Sequence, residues 1–390
     1  DDDDVADDDD SAGDDDSVSD DDSAGDDDSA GDDDSAGDDD SAGDDDSAGD
    51  DDSAGDDDSA GDDDSASVGD DDASGDDDDL AAGCNVCPGN YAVHNAADLA
   101  ALAGCGWIEG DLVIENTGSD VVDLAQLSCL VRVDGDLFVT DTSALSGLGG
   151  LENLHTIVRS LELRDNAALL DLDALTDLNQ LGVSLQIYNN PLLQNLDGLA
   201  GLQSISSDLV LHHNPLLVSA DGLSNISIVG ADMRVYDNYQ LTSMDGFASV
   251  TAVGSDLNVA WNTVMTDIGG LSSLASVGVD LDISRNPLLT QIDGLSGLGY
   301  VGGDLHIHDS VGLLNINGMS NLAEVGSDLL IADNDLLVDL SGLISLTSVG
   351  HDLDITNNQS LCQSYANAAV VSIAVGGFVN IHSNTGTCPP

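Results

Sequence analysis

Asp208-Leu209-Val210-Leu211-His212-His213-Asn214 returns as Asp256-Leu257-Asn258-Val259-Ala260-Trp261-Asn262, as Asp280-Leu281-Asp282-Ile283-Ser284-Arg285-Asn286 and as Asp352-Leu353-Asp354-Ile355-Thr356-Asn357-Asn358. The leading apolar position falls at Leu161, Leu185, Leu209, Met233, Leu257, Leu281, Leu305, Leu329 and Leu353, each 24 residues after the last. Leu112 and Leu137 extend the series by steps of 25 and 24, and Val379 closes it after 26, giving twelve rungs. A fixed period of this size marks a solenoid, whose units bury their apolar faces only against one another. Leu209 and Leu211 alternate with Asp208, Val210 and His212, the period-two pattern of a strand with one buried face. The expected fold is all-β, a right-handed parallel β-solenoid of about twelve 24-residue rungs.

The rest of each rung reads as turns and a second apolar segment. Asn follows the strand at Asn166, Asn190, Asn214, Asn238, Asn262, Asn286, Asn334, Asn358 and Asn384. Asn bonds neighbouring backbone and tolerates left-handed geometry, so it is expected to form stacked turns. Pro191, Pro215 and Pro287 come directly after it, which suits a turn and not a helix. Leu199, Leu202 and Ile205, matched by Leu295, Leu298 and Val301, are expected to point inward. Gly230, Gly254, Gly278, Gly302, Gly326 and Gly350 then lead into the next strand, and a special backbone angle is expected there.

Composition divides the chain near Asp79. Residues 1–79 are dominated by the hexad Ser-Ala-Gly-Asp-Asp-Asp and contain 42 of the 72 aspartates. Such a segment cannot bury enough surface to offset the entropy of ordering, so a disordered, extended spacer is expected. Residues 80–390 hold 30 Asp and 5 Glu against 5 Arg, and the chain has no Lys. Acidity on this scale argues against nucleic acid and anionic membrane surfaces as partners. The longest apolar run, Ala368 to Val379, is too short to span a membrane. Asp1 opens the sequence without a Met or an apolar leader, which reads as a processed export signal or a fragment.

Six cysteines lie only at the ends of the repeat array: Cys84, Cys87, Cys105 and Cys129 at one, Cys362 and Cys388 at the other. A solenoid exposes its core at its first and last rungs, so disulfide-linked caps are expected there, in an oxidising compartment outside the cytoplasm. Cys84-Asn-Val-Cys87 also has the spacing of half a zinc site, but no second CxxC or paired His completes it. Cys362–Cys388 is the expected pair at the C-terminal end; the four other cysteines allow three connectivities.

Cys87-Pro-Gly, then Leu99 and Leu102, then Cys105-Gly-Trp-Ile-Glu-Gly110-Asp-Leu-Val-Ile114 resembles the opening of receptor L-domains, the ligand-binding solenoids of insulin- and EGF-receptor ectodomains. The later Val-Gly-x-Asp-Leu-x-Ile-x-x-Asn-x-x-Leu rungs look like bacterial surface members of that group. The resemblance runs from about Cys84 to Cys388. It implies Cys87–Cys105, with Cys84 and Cys129 left to pair, and a binding role at a cell surface, without the kinase or Cys-rich modules of signalling receptors.

Four groups of residues are candidates for chemistry. The first is the column Asp208, Asp232, Asp256, Asp280, Asp304, Asp328 and Asp352, ahead of the strand in seven successive rungs. In-register neighbours lie about 4.8 Å apart, where two charges repel by roughly 3 kcal/mol at an effective dielectric of 20. Backbone N–H donors at the preceding turn are the expected compensation; raised pKa values or bound calcium are the alternatives. The second group comprises Asp141 with Asp165 and Asp309 with Asp333, carboxylate pairs one rung apart, as in polysaccharide-active β-helix enzymes. Asp just before a turn Asn is ordinarily a turn former, few Arg accompany these pairs, and no catalytic motif appears, so no enzyme is expected. The third is the outward strand columns, holding Arg164, Tyr188, His212, Tyr236 and His308 with Arg234 and His306 beside them, and Trp261 with Arg285 at the strand exit. Exposed aromatic and Arg side chains are frequent anchors for protein or sugar ligands, although Tyr also simply favours strands. Trp261 and Arg285 are placed to stack, and His306 and His308 to face the same way as a surface pair or half a metal site. The fourth, Asn225-Ile-Ser and Asn358-Gln-Ser, matches the glycosylation sequon. These readings combine into a non-catalytic recognition or adhesion module for a surface protein or glycan, carried on an acidic spacer; a calcium-binding structural surface protein is the alternative.

Overall fold

The computed structural model describes residues 80–388; the expected spacer over residues 1–79 lies outside them. The described chain winds as a parallel β-solenoid with three faces. One face is a 13-stranded parallel sheet of short strands, from Tyr91–Val93 through Leu112–Glu115 to Val379–His382. Its register is what the 24-residue period demands: Leu185 pairs with Leu209, Leu209 with Met233, and Met233 with Leu257. The second face consists of shorter strands, in a 5-stranded sheet from Asn85–Cys87 to Gln180–Leu181 and a 7-stranded sheet from Ile228–Val229 to Ala374–Val375. An isolated Ile205–Val229 bridge extends the 7-stranded sheet by one rung toward the other. The third face is a stack of single 3-10 turns, such as Asp221–Leu223 and Asp245–Phe247.

The core fills the space between the faces. In one rung Leu209, Leu211, Leu217, Ala220, Leu223, Ile226 and Val229 are all buried, and the pattern repeats along the stack. Leu199, Leu202, Ile205, Leu295, Leu298 and Val301 lie in the same core. Each buried aliphatic side chain contributes about 1.5–3 kcal/mol, but only when a neighbouring rung covers it. At the N-terminal end Tyr91–Val93 adds a thirteenth strand, in register with Leu112–Ile114, that the leucine periodicity did not announce. Helix α1, Ala96–Ala101, follows it, with the Asn95 side chain accepting from the N–H groups of Ala97 and Asp98, and buries Leu99. Disulfides Cys84–Cys129 and Cys87–Cys105 close this end, and Cys362–Cys388 ties the other. Helix α2, Gln363–Ala369, stands where other rungs have a 3-10 turn, and accommodates the 26-residue step to Val379.

Two expectations about the turns need correction. The Asn column does not supply the left-handed residue. That conformation belongs to the position before it, where Asp165, Asn189, His213, Asp237, Trp261 and Arg285 have φ of 53–58°. The Asn side chains point inward instead and are fully buried. Asn238 Nδ2 donates to the Leu211 carbonyl at 2.8 Å, while its Oδ1 accepts the Asn214 N–H at 3.2 Å, and the same pair of bonds recurs from Asn190 to Asn286. Buried in this ladder, Asn358 of the second sequon is not presented for modification. The Gly column, likewise, has no positive φ. Its reason is contact: a Cβ on Gly254 would stand 1.9 Å from the carbonyl oxygen of Gly230.

Candidate ligand-binding face

The outward side of the 13-stranded sheet presents side chains in register, so residues 24 apart in sequence become neighbours. Tyr188, His212 and Tyr236 occupy one column, and their rings stack face to face, with centroids 4.7 Å and 4.5 Å apart and interplanar angles of 16° and 7°. The column continues upstream to Arg164, which pairs with Glu162 at 2.8 Å. Glu162 also accepts the Tyr188 hydroxyl at 2.9 Å. Burial and then this bond to Glu162 push the Tyr188 phenol up to about 12. Arg234, beside the column, is held by Asp232.

Sequence reasoning missed two members of this cluster. His213 packs edge-on against His212 and Tyr236, at centroid distances of 4.9 Å and 5.9 Å, with its Nε2 3.5 Å from Asp237. The exposed Tyr239 donates its hydroxyl to Asp237 at 3.3 Å. With Asn189, Pro191 and Pro215, these two residues line a shallow recess of about 280 Å³. The signal was present in the left-handed column. Asn, Asp or Ser fills it in nine of the twelve rungs, and His213, Trp261 and Arg285 are the exceptions. A bulky side chain held at positive φ costs on the order of 1–3 kcal/mol, a strain that concentrates at functional sites. Trp261 is 47% exposed, and Arg285 lies 5.0 Å over its ring while pairing with Asp309 at 3.1 Å.

His306 and His308 lie apart from the aromatic stack. Their ring centroids are 6.4 Å from each other, and each faces carboxylates instead of a shared centre. His306 Nε2 is 3.9 Å from Asp304; His308 reaches Asp282 at 3.8 Å and Asp309 at 3.0 Å. Among the described residues no three His, Cys, Asp or Glu side chains converge as a metal site. Asp141, Asp165, Asp309 and Asp333, the candidate catalytic carboxylates, all occupy the left-handed turn position. Ala260 and Ser284, the small members of the stacked column, are buried between Tyr236 and His308.

The aspartate ladder is compensated by N–H donors, from a different source than the preceding turn. Asp232 Oδ1 accepts the backbone N–H of Asp256, whose own Oδ1 accepts that of Asp280, and so on to Asp352, which accepts from Phe378 at 2.7 Å. A hydrogen bond to a charged group contributes about 1.5–3 kcal/mol, enough to offset the repulsion between adjacent carboxylates. Asp304 illustrates the balance. Burial pushes its carboxyl up, but the Asp328 N–H, the Ser327 hydroxyl and nearby histidines hold it below the usual range.

The two histidine environments predict opposite titrations. Burial between two tyrosines, with His213 adjacent, lowers His212 to about 4. The bond to Asp282, outweighing burial and helped by Asp309, raises His308 above its ordinary 6.5. His212 therefore contributes stability above its unfolded value of about 6.5 that is lost as pH falls toward 4. The His308 contribution is present below 6.5 and is lost as pH rises through its higher folded value. An NMR titration of the ring protons is expected to show His308 protonating before His212 as pH falls; the reverse order would contradict the stacked geometry.

No protein-family model matches the sequence, and no curated protein is significantly similar to it.

Proposed function

We propose that residues 80–390 form a non-catalytic recognition module at the cell exterior, allied to receptor L-domains, that takes a surface protein or glycan ligand on the outward face of its long sheet. The observation that carries this reading is the continuous aromatic surface of Tyr188, His212, His213, Tyr236 and Tyr239, flanked by Trp261 stacked with Arg285. Aromatic and Arg anchors of this kind dominate recognition surfaces. Charge narrows the ligand class. All five arginines pair with carboxylates, Arg132 with Asp134, Arg159 with Asp136, Arg164 with Glu162, Arg234 with Asp232 and Arg285 with Asp309. Each guanidinium is thereby partly neutralised by a carboxylate of the chain, which disfavours a sulfate, phosphate or uronate and favours an uncharged or basic ligand surface. Three disulfides support an oxidising compartment, and among the described residues no helix is long and apolar enough to cross a membrane. The acidic residues 1–79 would act as a spacer that holds the module away from its anchorage.

The test is a binding screen against neutral glycans, acidic glycans and surface proteins, run on the chain and on the triple variant Tyr188→Ala, His212→Ala, Tyr236→Ala. The expected result is binding to a neutral or basic ligand that the triple variant loses by about 100-fold or more, since anchor residues each contribute about 2 kcal/mol or more. Undiminished binding by the variant, or a preference for acidic glycans, would place the site elsewhere.

A further inference from the structure

Along the second face a backbone bond joins each rung to the one before it. The Val158 N–H donates to the Val133 carbonyl, Gly182 to Ile157, Gly230 to Ile205 and Gly254 to Val229, and the series runs on to Gly376 with Val349. One junction is missing. Among the described residues the N–H groups of Gln203, Ser204 and Ser206 donate to no backbone carbonyl, and the Leu181 carbonyl accepts no backbone N–H. The 5-stranded sheet therefore ends at Gln180–Leu181, and the next rung is tied on this face only to its far side, through the Ile205–Val229 bridge. Ser206 stands where the later rungs have glycine, and its hydroxyl, not its N–H, reaches the preceding rung, at the Gly182 carbonyl. The gap opens a cleft of about 750 Å³, within the size range of small-molecule sites. Leu181 at the cleft is 7% exposed, where Ile157 and Ile205 in the same core column are 0%.

We propose that this cleft is a second ligand site, separate from the aromatic face, and that it takes a neutral oligosaccharide. Its walls carry the carboxamides of Asn179, Gln180 and Gln203, the hydroxyls of Thr156 and Ser204, and Arg132. No Asp or Glu lines it, although residues 80–390 hold 30 Asp and 5 Glu. Carboxamides and hydroxyls both donate and accept, which is what the vicinal hydroxyls of a sugar require. The Thr156 hydroxyl donates to Gln180 Oε1 at 3.2 Å, so Gln180 keeps its Nε2 for a ligand. The main-chain N–H groups left open at the gap add donors that water or a ligand must satisfy. Arg132 Nε is held by Asp134 at 2.6 Å, and its guanidinium carbon lies 4.9 Å from the centre of the Trp107 ring. That pairing fixes the guanidinium as a planar donor and offsets its charge, which favours a neutral sugar over a uronate or a sulfate ester.

Titration of the full chain with hexasaccharides of glucose, mannose, galactose and N-acetylglucosamine, and with an oligogalacturonate as the acidic comparison, tests the proposal. Binding is followed by calorimetry and by the side-chain amide NMR signals of Asn179, Gln180 and Gln203. The expected result is a neutral hexasaccharide that shifts these signals. The variant Gln180→Ala, Gln203→Ala is expected to weaken that binding by about 10-fold or more, because two bonding side chains leave one site. Both side chains are exposed, so its melting curve is expected to match the parent and to separate a lost contact from a lost fold. Ser204→Trp, which fills the cleft, is expected to abolish binding there. The variant Tyr188→Ala, His212→Ala, Tyr236→Ala is expected to keep the amide shifts, so failure of the cleft and failure of the aromatic face are read separately. Absence of shifts with every neutral sugar at millimolar concentration overturns the proposal. So do shifts that survive both cleft variants, a preference for oligogalacturonate, or binding that only the aromatic variant loses.

Discussion

Replacing Asn238 with Ala is expected to destabilise the solenoid by about 3–5 kcal/mol, although the side chain touches no surface. Asn238 is fully buried. Its amide nitrogen donates to the carbonyls of Leu211 and Tyr236, and its oxygen accepts the N–H of Asn214. Truncation strands at least one buried carbonyl and one buried N–H, each costing about 1–3 kcal/mol, and leaves a small void. Water cannot easily repair the loss, because both groups lie inside the stack. Because every rung is stabilised through its neighbours, the break should also loosen the coupling between the two halves of the array. Urea unfolding followed by circular dichroism is the measurement, and a loss below about 1 kcal/mol would show that the ladder is not what holds adjacent turns together. The column contains its own comparison at Ser310. Its N–H is still accepted by Asn334, and its hydroxyl accepts from Asn286, but no side chain there reaches back to the Ile283 carbonyl. Ser310→Asn supplies that missing donor and is expected to stabilise by about 1 kcal/mol.

Much of this architecture was legible because a solenoid converts sequence period directly into spatial register. Leu209, Met233 and Leu257 had to align, and the inward set Leu199, Leu202 and Ile205 followed from the same repetition. What periodicity cannot state is why a column is kept. Asn and Gly were both assigned to turn geometry on residue type alone. In the folded chain the left-handed turn falls one residue earlier, Asn is retained for its two-way bonding, and Gly for the absence of a Cβ. The aspartate ladder shows the same limit. The repulsion and the need for N–H donors were evident, but the donor is the next aspartate's own backbone, a relation visible only once the rungs are stacked. For the ligand face, Tyr188, His212 and Tyr236 were legible as a column, and Trp261 with Arg285 as a stack. His213 and Tyr239 were not, because they lie outside the strand alternation and join the cluster through the turn that follows it. A column composition of Asn and Asp interrupted by His, Trp and Arg was the available signal, and it acquires meaning only when positive φ identifies those positions as costly.

Gly278→Ala is expected to cost about 3 kcal/mol or more, a large effect for adding one methyl group. The new Cβ would sit 1.9 Å from the carbonyl oxygen of Gly254 and 2.7 Å from its carbonyl carbon. Both atoms are backbone, so no side chain can swing away. The rung cannot slide either: Ser276–Val277 is paired with strands on both sides, and Leu281–Ser284 is locked between Leu257–Ala260 and Leu305–His308. Relief requires spreading two rungs held about 4.8 Å apart by their ladders, which breaks hydrogen bonds on two faces at once. Gly299→Ala provides the control. It makes the same chemical change one rung on, but its nearest neighbour, the Ala275 carbonyl oxygen, is 3.9 Å away and its φ is not positive. There the substitution is expected to be neutral or to stabilise by up to about 1 kcal/mol, by reducing the freedom of the unfolded chain. The difference between the two melting curves isolates close approach from backbone entropy. Equal losses at both positions would mean that the glycine column answers to something other than the spacing of the rungs.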